Sequence, residues 1–284
     1  MNYLLLGLNY TLMILMPIIL AVWIHRRTGA PVRFFFMGAV TFIASQVLHI
    51  PFNILVERSG ILPTDLASWA NLLIVAIFLG LSAGVFEEGA RYLTYRYWAK
   101  DARSWSRGLM LGAGHGGIEA ILLGALGAFG FVSLVLTAGN ETLMSAIPAD
   151  QQAIITQSLN DLLATPWYGM LLGALERAFA ITAHLAMSIL VLQVFLRRSI
   201  VWLFIAIGYH ALLDAVAVIG INRVGPYATE ALVGAIALLG LVIIFRLRTP
   251  EPVEPEPEPL PAPALDEPPE LKPTAELLDR SRYD

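Results

Sequence analysis

Seven apolar stretches, each about 20 residues or longer, run through residues 3–24, 32–56, 67–97, 108–137, 168–196, 199–220 and 226–246. About 20 residues at 1.5 Å each is the span of a bilayer's hydrocarbon core, where every backbone polar group must be satisfied within the segment. The stretches therefore predict an all-α fold, a polytopic transmembrane bundle of about seven helices. With 57% hydrophobic and only 14% charged residues, the chain is too apolar for an ordinary soluble domain. The first stretch has no basic segment ahead of it and is too long for a signal peptide's apolar region, so it reads as a retained helix.

Charge placement gives the expected orientation. His25, Arg26, Arg27 and Arg33 follow the first stretch; Arg96, Lys100, Arg103 and Arg107 join the third to the fourth; Arg197 and Arg198 join the fifth to the sixth; Arg246 and Arg248 follow the seventh. The opposite loops hold Arg58 and Arg223 together with Glu141, Asp150 and Asp161. Basic loops stay cytoplasmic, which predicts an outer N-terminus and an inner C-terminus in the cell membrane. Residues 1–248 form the predicted transmembrane domain, with a core at 80–220, and 249–284 a Pro/Glu-rich cytoplasmic tail with too few apolar side chains to order itself. In the outer loop, AIITQSLNDLLA has the three- and four-residue apolar steps of a short surface helix, and a solvated connector is the alternative.

Ionisable residues inside the stretches carry the functional signal, because a charged side chain at mid-bilayer costs roughly 2.5–3.5 kcal/mol on insertion scales. The third stretch ends in EEGAR, giving Glu87, Glu88 and Arg91; the fourth holds GHGGIE, with His115 and Glu119; the fifth ERAFAITAH, with His184; the sixth YHALLD, with His210 and Asp214. Glu87 and Glu88 leave the helix about 100° apart, so Arg91 can neutralise one of them while the other faces the bundle as a candidate general base. A surface ion pair near the interface is the bland reading of that motif alone. His and a carboxylate four residues apart, twice over, suit a shared metal or a ligand with its orienter. Glu176 and Arg177 read as simple charge pairing. Counted from the nearest basic loop at about 1.5 Å per residue, Glu88, His115, Glu119, His184, His210 and Asp214 fall in one layer roughly 12–24 Å deep, with Glu176 and Arg177 closer to the outer side. The first, second and seventh stretches add no comparable charge except His49, which reads as structural.

Gly112, Gly116, Ala120, Gly124 and Ala128 line one face of the fourth stretch, where small residues let helices approach closely. The glycine-rich gap beside the third and fourth stretches is the expected way in for a substrate. With no cysteine present, a thiol nucleophile and Cys-ligated metals are excluded.

In order and setting, EEGAR, GHGGIE, the lone His184 and HALLD resemble the CPBP/PrsW clan of intramembrane proteases, and most of all its bacterial YhfC branch, over about residues 80–220. The resemblance implies an endopeptidase that cuts a membrane protein or membrane-associated peptide. Glu87 would be the base on water, supported by Glu88 and Arg91, and His115, Glu119, His184, His210 and Asp214 would position that water or a metal. Zinc is the implied cofactor, and a metal-free glutamate mechanism uses the same residues. The arginine follows the second Glu by three residues, as the PrsW pattern has its lysine, and not by four as in the CAAX enzymes, which speaks against prenylated substrates. The expected partners are the lipid bilayer and that substrate, with no nucleic acid. The competing function is a proton- or ion-coupled transporter using the same acid and His layer, although the chain shows no internal repeat and no Pro-interrupted helix pair.

Overall fold

The computed structural model describes residues 2–251, which contain helices and no strand among the described residues. Seven helices are long and apolar enough to cross a membrane: α1 (Asn2–Thr28), α2 (Arg33–Arg58), α3 (Trp69–Leu93), α4 (Trp105–Ala138), α7 (Leu172–Leu196), α8 (Val201–Arg223) and α9 (Pro226–Arg246). They coincide with the seven predicted stretches. The chain is an integral, multi-pass membrane protein. The loop between α4 and α7 carries α5 (Glu141–Ser145) and α6 (Ala149–Ala164), and α6 forms the short helix expected of AIITQSLNDLLA, with no buried residue. Most of the Pro/Glu-rich tail, from 252 onward, lies outside the described residues.

Local chemistry sets where the spans start and stop. Gly29, at φ +72°, and Pro31 turn α1 into α2; Gly225, at φ +78°, followed by Pro226 as the first helical residue, turns α8 into α9. Pro17 and Pro51 sit inside α1 and α2, which lipid-buried helices tolerate when neighbours satisfy the freed carbonyls. One turn beyond Arg91, α3 widens into a π-helical turn at Thr94–Trp98, a form often found beside functional sites. That turn directs Tyr95 inward, where its hydroxyl meets Ser188 Oγ of α7 at 2.8 Å.

The loops segregate by contact as well as by charge. Arg33 pairs with Asp101, and Trp105 Nε1 donates to the Ile244 carbonyl, bringing the basic loops to one end of the bundle. At the other end Arg223 donates to the Leu66 and Ala67 carbonyls, and Asn2 to the Leu163 carbonyl.

Inside the bundle α4 and α7 form the centre: α1 and α2 pack on α4, α9 on α7, and α3 lies between α2 and α8. Residues 183–194 of α7 are buried without a break. Since lipid tails are as apolar as the side chains they would replace, close van der Waals packing holds such helices together. Gly114 is one place where it is decisive, because a Cβ there would stand 1.8 Å from the Phe35 carbonyl oxygen of α2. Gly116 is another, since its Cβ would stand 2.9 Å from the His184 side chain. The small-residue stripe of α4 is divided between two neighbours: Gly112 and Gly116 face α7, while Gly124 faces Met13 and Ile14 of α1.

Candidate functional site

The adjacent carboxylates at the C-terminal end of α3 acquire different neighbours. Glu88 is wholly buried and pairs with Arg91, one turn on; its other oxygen accepts from His210 Nδ1 at 3.0 Å. Glu87 turns toward α2 and α4, with Oε2 3.1 Å from His115 Nε2 and Oε1 accepting the Gln46 amide at 2.9 Å. Arg91 thus neutralises one carboxylate and leaves the other facing the bundle, and Glu88 is the neutralised one.

The guanidinium of Arg91 also reaches His184. It can only donate, so His184 Nδ1 accepts at 3.1 Å, and the ring proton sits on Nε2, which donates to Glu119 Oε2 at 2.8 Å. The other Glu119 oxygen lies 2.5 Å from Arg177 Nη1, and Arg177 also pairs with Glu176. Two arginines therefore close the network at either end, and each immobilises a carboxylate that touches a histidine. His210 donates its Nδ1–H to Glu88, and its Nε2 lies 3.6 Å from Asp214 Oδ2. The His115 and His184 ring centres are 4.9 Å apart, and those of His184 and His210 5.7 Å. All eight residues singled out from sequence meet in this layer; Glu88 with Arg91 and His210 with Asp214 keep the pairs their spacing suggested, and one pair does not. His115 and Glu119, one turn apart, bond across helices, to Glu87 and to His184 respectively.

Buried carboxylate and imidazole groups whose ligand atoms converge can hold a metal ion. Glu87, His115 and His184 each offer a ligand atom, and these lie within 4.8 Å of one another. His115 Nδ1 is buried with no hydrogen-bond partner. Two imidazoles and a carboxylate, with no thiolate, form a donor set that fits a divalent metal ion. Glu119, His210 and Asp214 stand beside this trio.

Two openings converge on these groups. A lipid-facing groove of about 660 Å³ lies between α2 and α4; it is walled by Phe42, Ile43, Val47, Leu122, Leu123 and Leu126, and Gln46, Glu87 and Glu119 also line it. The gap expected beside α3 and α4 is therefore one helix over, because Gly80 and Gly84 let α3 close tightly on α8 instead. A second, polar cavity of about 140 Å³ is lined by Glu87, Glu119, Glu176, Arg177, His184, His210, Asp214 and Glu230. Glu230 belongs to α9, which corrects the expectation that the seventh stretch adds no charge; its Oε2 is buried without a partner.

Residues 12–237 match the family model described as YhfC intramembrane metalloprotease. The chain belongs to this YhfC family. It is 32% identical over 247 residues to the uncharacterized membrane protein YhfC of Bacillus subtilis (strain 168), which covers 86% of this chain and 95% of that protein. No solved structure matches the chain. The YhfC match takes in every residue of the layer, including three that sequence reasoning undervalued. Arg177 is more than a partner for Glu176, since it holds Glu119. Gln46 and His49 of α2 reach Glu87, directly or in relay. Their signal was legible: Gln46, His49 and Asn53 recur at three and four residues along an otherwise apolar helix, placing three polar side chains on one face.

Proposed function

We propose that the protein is a zinc-dependent intramembrane endopeptidase, hydrolysing a peptide bond of a membrane protein or membrane-associated peptide. The observation that carries this reading is that Glu87 and Glu119 line both openings, so an apolar groove from the lipid and a polar cavity meet at the donor cluster. Hydrolysis within a membrane needs both, an apolar approach for the polypeptide and a polar one for water. The YhfC family description favours this reading over ion-coupled transport.

His115 and His184 would hold the ion, His184 through a ring nitrogen released from Arg91 or Glu119, with the Glu87 carboxylate inside the same donor cluster. The chemistry that zinc would supply there, when bound, is a water acidified toward a pKa of about 7 and a polarised carbonyl. Glu87 takes the proton from the attacking water, because Glu88 and Glu119 are each held by an arginine whereas its own neighbours are an imidazole and an amide. His210, oriented by Glu88, presents Nε2 toward the cavity, where it can steady the water or, when that nitrogen carries a proton, the substrate carbonyl, with Asp214 beside it. An intact helix shields its carbonyls, so the substrate segment must unwind locally along the groove before its peptide bond reaches Glu87.

The deciding experiment reconstitutes the protein in liposomes of bacterial lipid with a panel of single-span peptides and reads cleavage by mass spectrometry. Glu87→Gln is expected to lower cleavage roughly 10²- to 10⁴-fold, the usual worth of a positioned base, while remaining folded and inserted. Cleavage at the wild-type rate by a folded Glu87→Gln protein would overturn the assignment.

A further inference from the structure

Glu87 is reached from outside the recognised motifs by a chain of polar side chains running along α2. Its Oε1 accepts from Gln46 Nε2 at 2.9 Å; Gln46 Oε1 lies 3.3 Å from His49 Nδ1; and His49 Nε2 lies 2.9 Å from Asn53 Nδ2 and 3.2 Å from Ser82 Oγ. The direction of every bond follows from the first. Gln46 turns its NH₂ group toward Glu87 and so its carbonyl toward His49. His49 must then donate from Nδ1, which leaves Nε2 bare to accept from Asn53. The order is kept although it leaves Asn53 Oδ1 buried without a partner. The His49 ring is fixed in turn by stacking on Phe86, the residue before Glu87, at 5.4 Å between centres.

We propose that Gln46 is a positioning residue for Glu87: braced by His49, its amide holds the carboxylate against His115 and His184, within the donor cluster. The function is anchored on α2, a helix that supplies none of the acidic or imidazole groups of the cluster itself. Gln46 also lines the lipid-facing groove, so its amide sits where a substrate would arrive. Removing it frees Glu87 to rotate toward the groove and takes the negative charge out of the cluster. Groups that orient a metal site from behind typically change its affinity 10- to 100-fold when they are lost.

The inference rests on the zinc reading above, and its test separates the two. Full-length protein in detergent is stripped with chelator and titrated with zinc alone against a chromophoric competitor. Gln46→Leu, close in size but without the amide, is expected to weaken zinc binding tenfold or more. His49→Phe keeps the stacking ring and removes the brace, so a smaller loss in the same direction is expected, and this variant tests the relay even if Gln46→Leu folds poorly. In a Glu87→Gln background, Gln46→Leu is expected to add nothing, because its effect runs through the carboxylate; a general packing defect would add in full. Zinc affinity in folded Gln46→Leu within twofold of wild type, or full additivity with Glu87→Gln, overturns this inference alone. A wild-type protein that binds no zinc overturns both.

Discussion

Arg91 offers the sharpest test of how the layer is held together. Its guanidinium and the Glu88 carboxylate both have 0% of their side-chain surface exposed, and Arg91 is the cation in contact with that carboxylate. Replacing Arg91 with Met roughly preserves the packing volume but leaves Glu88 charged and buried with His210 as its remaining partner. Breaking such a pair from one side costs about 3–5 kcal/mol, because the orphaned charge keeps its desolvation penalty. At about 1.4 kcal/mol per decade, that lowers the ratio of folded to unfolded protein by roughly two to three and a half decades. Adding Glu88→Gln removes the stranded charge, and the amide oxygen can still accept from His210, so the double variant should recover about 2–3 kcal/mol of the loss. The assay is equilibrium unfolding of the chelator-stripped protein in mixed micelles of rising SDS content, read by tryptophan fluorescence; stripping prevents metal linkage from masking the difference. An Arg91→Met protein within about 0.5 kcal/mol of wild type, the usual scatter for a surface change, would refute the account of a coupled buried pair. So would a double variant no more stable than the single one.

Other expectations follow from particular contacts. Gly116→Ala should push the His184 ring from its place, since the new Cβ would meet it at 2.9 Å, and lower zinc affinity, whereas Gly130→Ala, with nothing within 4 Å, should leave it unchanged; both are read by competition titration. Metal content by mass spectrometry should fall from near one zinc per chain to background in His184→Ala/His210→Ala; zinc retained in full would place the metal elsewhere. Leu123→Trp, in the wall of the groove, should raise KM for a membrane-spanning peptide and leave zinc affinity intact; unchanged KM would argue against the groove as the substrate's path.

The spans were legible because lipid imposes one rule on every residue of a crossing segment, and that rule acts locally. The acid and His layer was legible for the same reason, since each charge in an apolar run is costly and marks itself. The pairings were legible only in part, as with Glu88 and Arg91. Spacing of four residues put His115 with Glu119 on one helix face, yet a face shared by two side chains does not make them partners when α3 and α7 bring a second carboxylate and a second imidazole within 3.1 Å and 2.8 Å. Gln46 carried no charge to draw attention, and Glu230 lay near the end of its stretch, where an acid costs little in water. Only the packing of α9 on α7 turned it toward Glu176 and Arg177 at the cavity.

Sequence by itself thus determined that seven segments are long and apolar enough to cross a membrane, which residues are costly to place there, and the family to which their order belongs. Tertiary structure decided which carboxylate is held by an arginine and which is not, where an apolar groove reaches the acid and His layer, and that Gln46 of α2 bonds to Glu87. The division has a physical cause. Transfer into lipid is summed residue by residue along the chain, whereas a hydrogen bond between helices depends on the rotation and depth of two segments at once, and those are set by the glycine contacts that let them close.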